Sequence, residues 1–176
     1  MLIPGVGSPT AALVVVWALA VAWTDWRQRR IPNLLSLGAW VVGCAVLIFS
    51  GRSLLGAPPS SALLAAAGAL LVTLPGYLSR HLGAGDVKFL VATGLLSSWP
   101  LTLICFTIGT LLGAAAGLLS QHRRLIYLAL PRKLQQPGNW LSRWTSRPPP
   151  SNKHIPLGTC MGIGLAIALL WPHRLT

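Results

Sequence analysis

The chain has 176 residues, of which 53% are apolar and 9% charged, and its mean hydropathy is +0.65. One domain is the expectation at this length, but soluble domains carry charge on roughly a quarter of their residues, which excludes an ordinary soluble fold. Disorder is excluded as well, because disordered chains are poor in apolar residues. Fourteen Lys and Arg against two acidic residues give a formal charge of +12, yet the basic residues lie between long apolar runs and not along one polar face. The expected fold is all-α: a polytopic membrane helix bundle forming a single embedded domain over residues 1–176.

A membrane span needs about 20 mostly apolar residues. In chain order, candidate spans lie at 10–26, 33–50, 61–78, 82–98, 101–119 and 155–171. The fourth is weak, since it is apolar only over 87–96 and reaches span length by taking in 83–86. Charge bookkeeping resolves its parity. With the N-terminus outside, the inward segments carry Arg27, Arg29, Arg30, Arg80 and Lys88, followed by Arg123, Arg124, Arg132, Lys133, Arg143, Arg147 and Lys153. The outward segments carry Arg52 and Arg174. Six crossings therefore satisfy the positive-inside rule, whereas five would export the most basic segment. Residues 1–22 hold no charge, and a secretory signal opens with a positive stretch, so the first run is expected to stay as a span.

Cys44, Cys105 and Cys160 are far apart and each falls in an expected span. Without a CxxC pair, neither a zinc ribbon nor a disulfide framework is expected. The segment 121–154 joins seven basic residues to Trp140 and Trp144, which are four apart and would share one helix face. It reads as a basic cytoplasmic loop seated on anionic lipid headgroups. Contact with a substrate is the second reading, and nucleic acid is not expected as a partner.

The acids are the informative residues, because Asp25 and Asp86 are the chain's entire complement of carboxylate side chains. Asp25 ends the first expected span and Asp86 begins the fourth. These spans run in opposite directions, so both acids fall at the same depth. Ionisable groups at membrane depth are costly and mark functional sites. Each also has a plain structural reading: Asp25 as an i,i+4 partner of Arg29, and Asp86 as the N-cap of a helix beginning at Val87. A close carboxyl pair shares one proton. The ionised member can then take a proton from a water attacking an amide carbonyl, while the protonated member donates to the carbonyl oxygen. No nucleophilic side chain, cofactor or metal is required. The sequence has no HExxH and no GxSxG, and His81, His122, His154 and His173 lack metal-ligand spacing. His81 is near enough in sequence to modulate Asp86, though an interfacial position suits it better.

Gly83 and Gly85 flank Ala84 just before Asp86. Their missing side chains would allow unusual backbone angles and close approach of another backbone. The stretch Gly83-Ala84-Gly85-Asp86-Val87-Lys88 resembles the GxGD signature of the type IV prepilin peptidases, a family of intramembrane aspartic leader peptidases. Asp25 to Asn33, reading Asp-Trp-Arg-Gln-Arg-Arg-Ile-Pro-Asn, is similar to that family's first acidic motif. Ile155-Pro156-Leu157-Gly158 resembles the Ile-Pro-Phe-Gly that opens its last span. The resemblance implies that Asp25 and Asp86 are the catalytic pair and that Gly83 and Gly85 shape an access path. It also implies that Arg30, Pro32, Asn33 and Lys88 are nearby supports. The implied reaction is removal of the short basic leader from prepilins or pseudopilins, at the cytoplasmic face of the bacterial inner membrane. Larger relatives add a CxxC-bearing domain and N-methylate the product. With no CxxC here, the resemblance implies the peptidase half alone, as in the small enzymes serving tight-adherence, Flp-type or conjugative pili. Two other classes remain open on the residues: a transporter or proton relay using the same acids, and a non-enzymatic scaffold of a pilus or secretion machine.

Overall fold

The structure, a computed structural model, describes residues 9–129 and 157–170, and the regular elements among them are all helices. They are α1 (Pro9–Gln28), α2 (Asn33–Ser50), α3 (Pro59–Leu78), α4 (Ala84–Leu96), α5 (Trp99–Ala129) and α6 (Leu157–Leu170). Four of them, α1, α2, α3 and the Trp99–Ser120 part of α5, are long and apolar enough to cross a bilayer. The protein is thus an all-α membrane helix bundle. The chain forms two compact units, residues 1–110 with 156–176 and residues 111–155. The packing described below is that of the first.

The weak fourth span has a physical explanation. α4 has 13 residues, about 20 Å at 1.5 Å per residue, short of a hydrocarbon core of roughly 30 Å. It does not need a lipid-facing stripe, because Val87 and every residue from Phe89 to Leu96 are buried. α2, α3 and α6 all pack against it. A helix apolar on all sides belongs at the centre, and α4 is that centre. α6, which packs mainly on α1, is similarly enclosed, with ten of its 14 residues buried.

The outer helices are sorted by side-chain size. α1 turns Ala11, Val14, Ala18, Val21 and Ala22 inward and exposes Leu13, Val16, Leu19, Trp23 and Trp26. α3 buries Ala62, Ala65, Ala66, Ala69 and Thr73 while Leu63, Leu64, Leu70 and Leu71 face out. Lipid solvates the large side chains, so helix association relies on small residues that let backbones meet closely. The tightest such approach lies where α3 crosses α4. A Cβ on Gly94 would stand 2.6 Å from the Ala66 nitrogen and 2.8 Å from the Ala65 carbonyl carbon.

Two indoles fasten the end of the bundle where the acids lie. Trp17 stacks on Phe89 with centroids 5.0 Å apart and donates from Nε1 to the Leu35 carbonyl at 3.0 Å. Trp40 Nε1 donates to the Lys88 carbonyl at 2.8 Å. α1, α2 and α4 are thereby joined across sequence separations that local structure does not supply. α5 continues beyond the expected end of its span at 119 to Ala129, so residues 121–129 of the basic segment are helical. The remainder, with Trp140, Trp144, Ile155 and Pro156, lies outside the described residues.

Overpacking the α3–α4 crossing gives the first test. Gly94→Val is expected to lower stability in detergent by about 1–3 kcal/mol, read from thermal unfolding. Leu71→Ala, on the lipid-facing side of α3, is expected to change it far less.

Candidate active site

Asp25 occupies the last turn of α1 and is 6% exposed. Both circumstances disfavour a carboxylate: helix C-terminal carbonyls repel it, and burial removes its water. The compensation comes from α6. Thr159, in the first turn of that helix, donates to Asp25 Oδ2 from its backbone nitrogen at 2.8 Å. Its hydroxyl lies 3.1 Å from the same oxygen. The first amides of a helix have no intrahelical acceptor, so they carry partial positive charge toward whatever faces them.

Asp86 reaches the same place from the other side. It lies in the first turn of α4, half-buried, and its Oδ2 accepts the Gly83 N–H at 3.3 Å. The Gly158 amide also faces its carboxyl group, and Asp25 is within electrostatic reach. The first turn of α6 thus serves Asp25 through the Thr159 amide and brings the Gly158 backbone close to both acids. Opposed helix polarity makes this work, since the C-terminal turn of α1 lies against the N-terminal turn of α6 and within electrostatic reach of that of α4. One structural reading of Asp86 is corrected by these contacts. α4 starts at Ala84 with Gly83 as its N-cap, so Asp86 caps no helix beginning at Val87. It reaches back to the Gly83 amide as the third residue of a capping box does. Arg29 adopts φ 52°, and its amide donates to the Asp25 carbonyl at 2.8 Å, closing α1 while the Asp25 carboxylate turns to Thr159.

The glycines act through space and not through backbone freedom. Gly83 has φ −77° and ψ 148°, angles open to any residue, and Gly85 is inside the helix. The gap left by Gly85 is filled by Ile31, whose Cβ would lie 3.1 Å from an added Cβ. Ile31 fills the same role at Gly158, where an added Cβ would stand 2.7 Å from Ile31 Cδ1 and 3.0 Å from Asp25 Oδ2. A single side chain from the α1–α2 turn therefore wedges between the two glycines beside the acids.

The expected supports divide. Lys88 Nζ donates to Asn33 Oδ1 at 3.0 Å, which ties α4 to the start of α2. Pro32 is the N-cap of α2, and its carbonyl accepts the Leu35 and Ser36 amides at 3.1 and 3.3 Å. Arg30 is exposed. His81 is exposed too and pairs through Nδ1 with Ser79 Oγ at 3.1 Å. Thr159, Gly158 and Ile31 were given no role from the sequence, yet each touches an acid or its immediate surroundings. Among the described residues no group of three His, Cys, Asp or Glu is placed to hold a metal.

A membrane helix bundle whose two acids lie within electrostatic reach beside a helix N-terminus is the class of protein that this arrangement defines. The sequence profile of the type IV leader peptidase family matches residues 12–118. The chain belongs to that family, a family of prepilin leader peptidase-type proteases, and the matched stretch contains both acids. No curated protein and no solved structure matches the chain.

The two acids being the only Asp or Glu side chains, protein labelled with 13C at the Asp carboxyls shows each of them directly. Gly158→Ala is expected to displace the Asp25 resonance, assigned through Asp25→Asn. Adding Ile31→Ala is expected to leave that displacement in place, because the added methyl group still crowds Asp25 Oδ2.

Proposed function

We propose that the chain is an aspartic-type endopeptidase with Asp25 and Asp86 as its catalytic pair. It removes the short basic leader from type IV prepilins or pseudopilins. The observation that carries this reading is that the chain's two acids come within electrostatic reach of each other beside the first turn of a third helix. Neither acid's local helix requires that approach, and Asp25 is electrostatically misplaced in its own helix without it.

The chemistry balances with one proton held between the pair. An ionised carboxylate takes a proton from water as the water oxygen bonds to the scissile carbonyl carbon. The protonated carboxyl gives its proton to the carbonyl oxygen, producing a neutral tetrahedral diol. When the C–N bond breaks, the first acid returns its proton to the leaving nitrogen. The second acid recovers one from a diol hydroxyl, so the pair ends as it began.

The membrane is the bacterial inner membrane and the acids lie near its cytoplasmic face. The uneven distribution of Lys and Arg along the sequence supports that orientation. Trp23 and Trp26, which flank Asp25 in the last turns of α1, are exposed, and the Arg27 guanidinium lies 5.1 Å from the Trp23 ring centroid. Aromatic and basic side chains of this kind suit the headgroup region, which supports a site at the membrane boundary and not at mid-depth. The basic segment 121–154 is assigned to the cytoplasmic side, seated on anionic lipid.

The test is cleavage of a prepilin-type precursor reconstituted with the purified protein in vesicles. Asp25→Asn and Asp86→Asn are each expected to abolish cleavage while leaving the protein inserted and folded, because Asn carries no exchangeable carboxyl proton. Processing that persists in either variant contradicts the mechanism. Ion flux through the wild type without any cleavage would instead establish a transporter.

A further inference from the structure

We propose that Thr159 is the positioning residue that keeps Asp25 as the charged, proton-accepting member of the pair, leaving Asp86 as the proton donor. The proposal rests on the peptidase reading above and adds to it an assignment of roles. Its basis is an asymmetry in hydrogen bonding. Asp25 Oδ2 receives the Thr159 amide at 2.8 Å and has the Thr159 hydroxyl at 3.1 Å, both in a buried setting. Asp86 is half-buried, and its Oδ2 receives the Gly83 amide at the longer distance of 3.3 Å, with no side-chain donor to it among the hydrogen bonds of the described residues. Donors aimed at a carboxylate favour its ionised form and so oppose the loss of water that burial imposes.

The Thr159 hydroxyl also has a second acceptor. The Ala22 carbonyl stands 3.1 Å from the same oxygen, as far away as Asp25 Oδ2. One hydroxyl has one hydrogen and gives it to one acceptor at a time. While Asp25 is charged, the hydrogen goes to Oδ2. Once Asp25 has taken the proton of the attacking water, the hydrogen turns to Ala22 and remains bonded. A rotation about one bond therefore follows the charge on Asp25 with no shift of backbone and no buried group left unpaired. Thr159 acts through Asp25.

The test uses Thr159→Val, which keeps the shape and the amide but removes the hydroxyl, and Thr159→Ser, which restores the hydroxyl. A bond to a charged group is worth enough that Thr159→Val is expected to lower kcat by roughly ten- to a hundredfold, with KM nearly unchanged. Thr159→Ser is expected to recover most of the loss. With 13C-Asp label, the Asp25 resonance is expected to move in Thr159→Val and to return toward its wild-type position in Thr159→Ser. A Thr159→Val enzyme within about twofold of wild-type kcat, or a Thr159→Ser enzyme as slow as Thr159→Val, overturns the proposal in favour of packing alone. So does an Asp25 resonance indifferent to both substitutions. If the wild type cleaves no precursor, the peptidase reading fails, and the resonance by itself still decides whether Thr159 governs Asp25.

Discussion

The first turn of α6 holds the molecule's chemistry together. The Thr159 amide takes Asp25 at 2.8 Å and the Gly158 amide faces Asp86. Without them Asp25 would be a buried charge at the wrong end of a helix, a cost that folding would not sustain. Helix polarity is the deeper constraint. An N-terminus must be brought to the level where α1 ends and α4 begins, so α6 has to run antiparallel to α1. Small residues along that contact allow it: a Cβ on Gly162 would lie 2.7 Å from the Ala18 carbonyl oxygen.

The remainder of the bundle serves this junction. α4 is central and buried on all sides, which fixes the depth of Asp86, and the indoles of Trp17 and Trp40 lock α1 and α2 to it. Ile31, delivered by the turn that Arg29 and Pro32 shape, fills the spaces beside Gly85 and Gly158. On α1 and α3 the larger apolar side chains mostly face outward, where lipid takes them.

Much of this was legible in the sequence. Hydropathy gave the helices, and the scarcity of acids made Asp25 and Asp86 conspicuous. Their placement at the ends of oppositely directed spans foretold that they would share a level. The weak fourth span was itself a signal, since a central helix shielded from lipid is free to be short and to begin with a charged turn. Thr159 and Gly158 were not legible in the same way. Their contribution is a backbone amide, which every residue but proline owns, so no side-chain pattern advertises it. Ile31 was hidden differently, as one apolar residue among many. The glycines suggested unusual backbone angles and room for another backbone, whereas Gly83 has ordinary angles and the space beside Gly85 holds the Ile31 side chain.

The central claim is that the two carboxyl groups meet. The most direct measurement replaces both acids by cysteine in a protein whose Cys44, Cys105 and Cys160 are changed to Ser, and adds a short bifunctional bimane that fluoresces only after both arms have reacted. Asp25→Cys with Asp86→Cys is expected to give an internally bridged, fluorescent product, while each single cysteine variant stays dark. A double variant that takes up two separate reagents and stays unbridged would contradict the account.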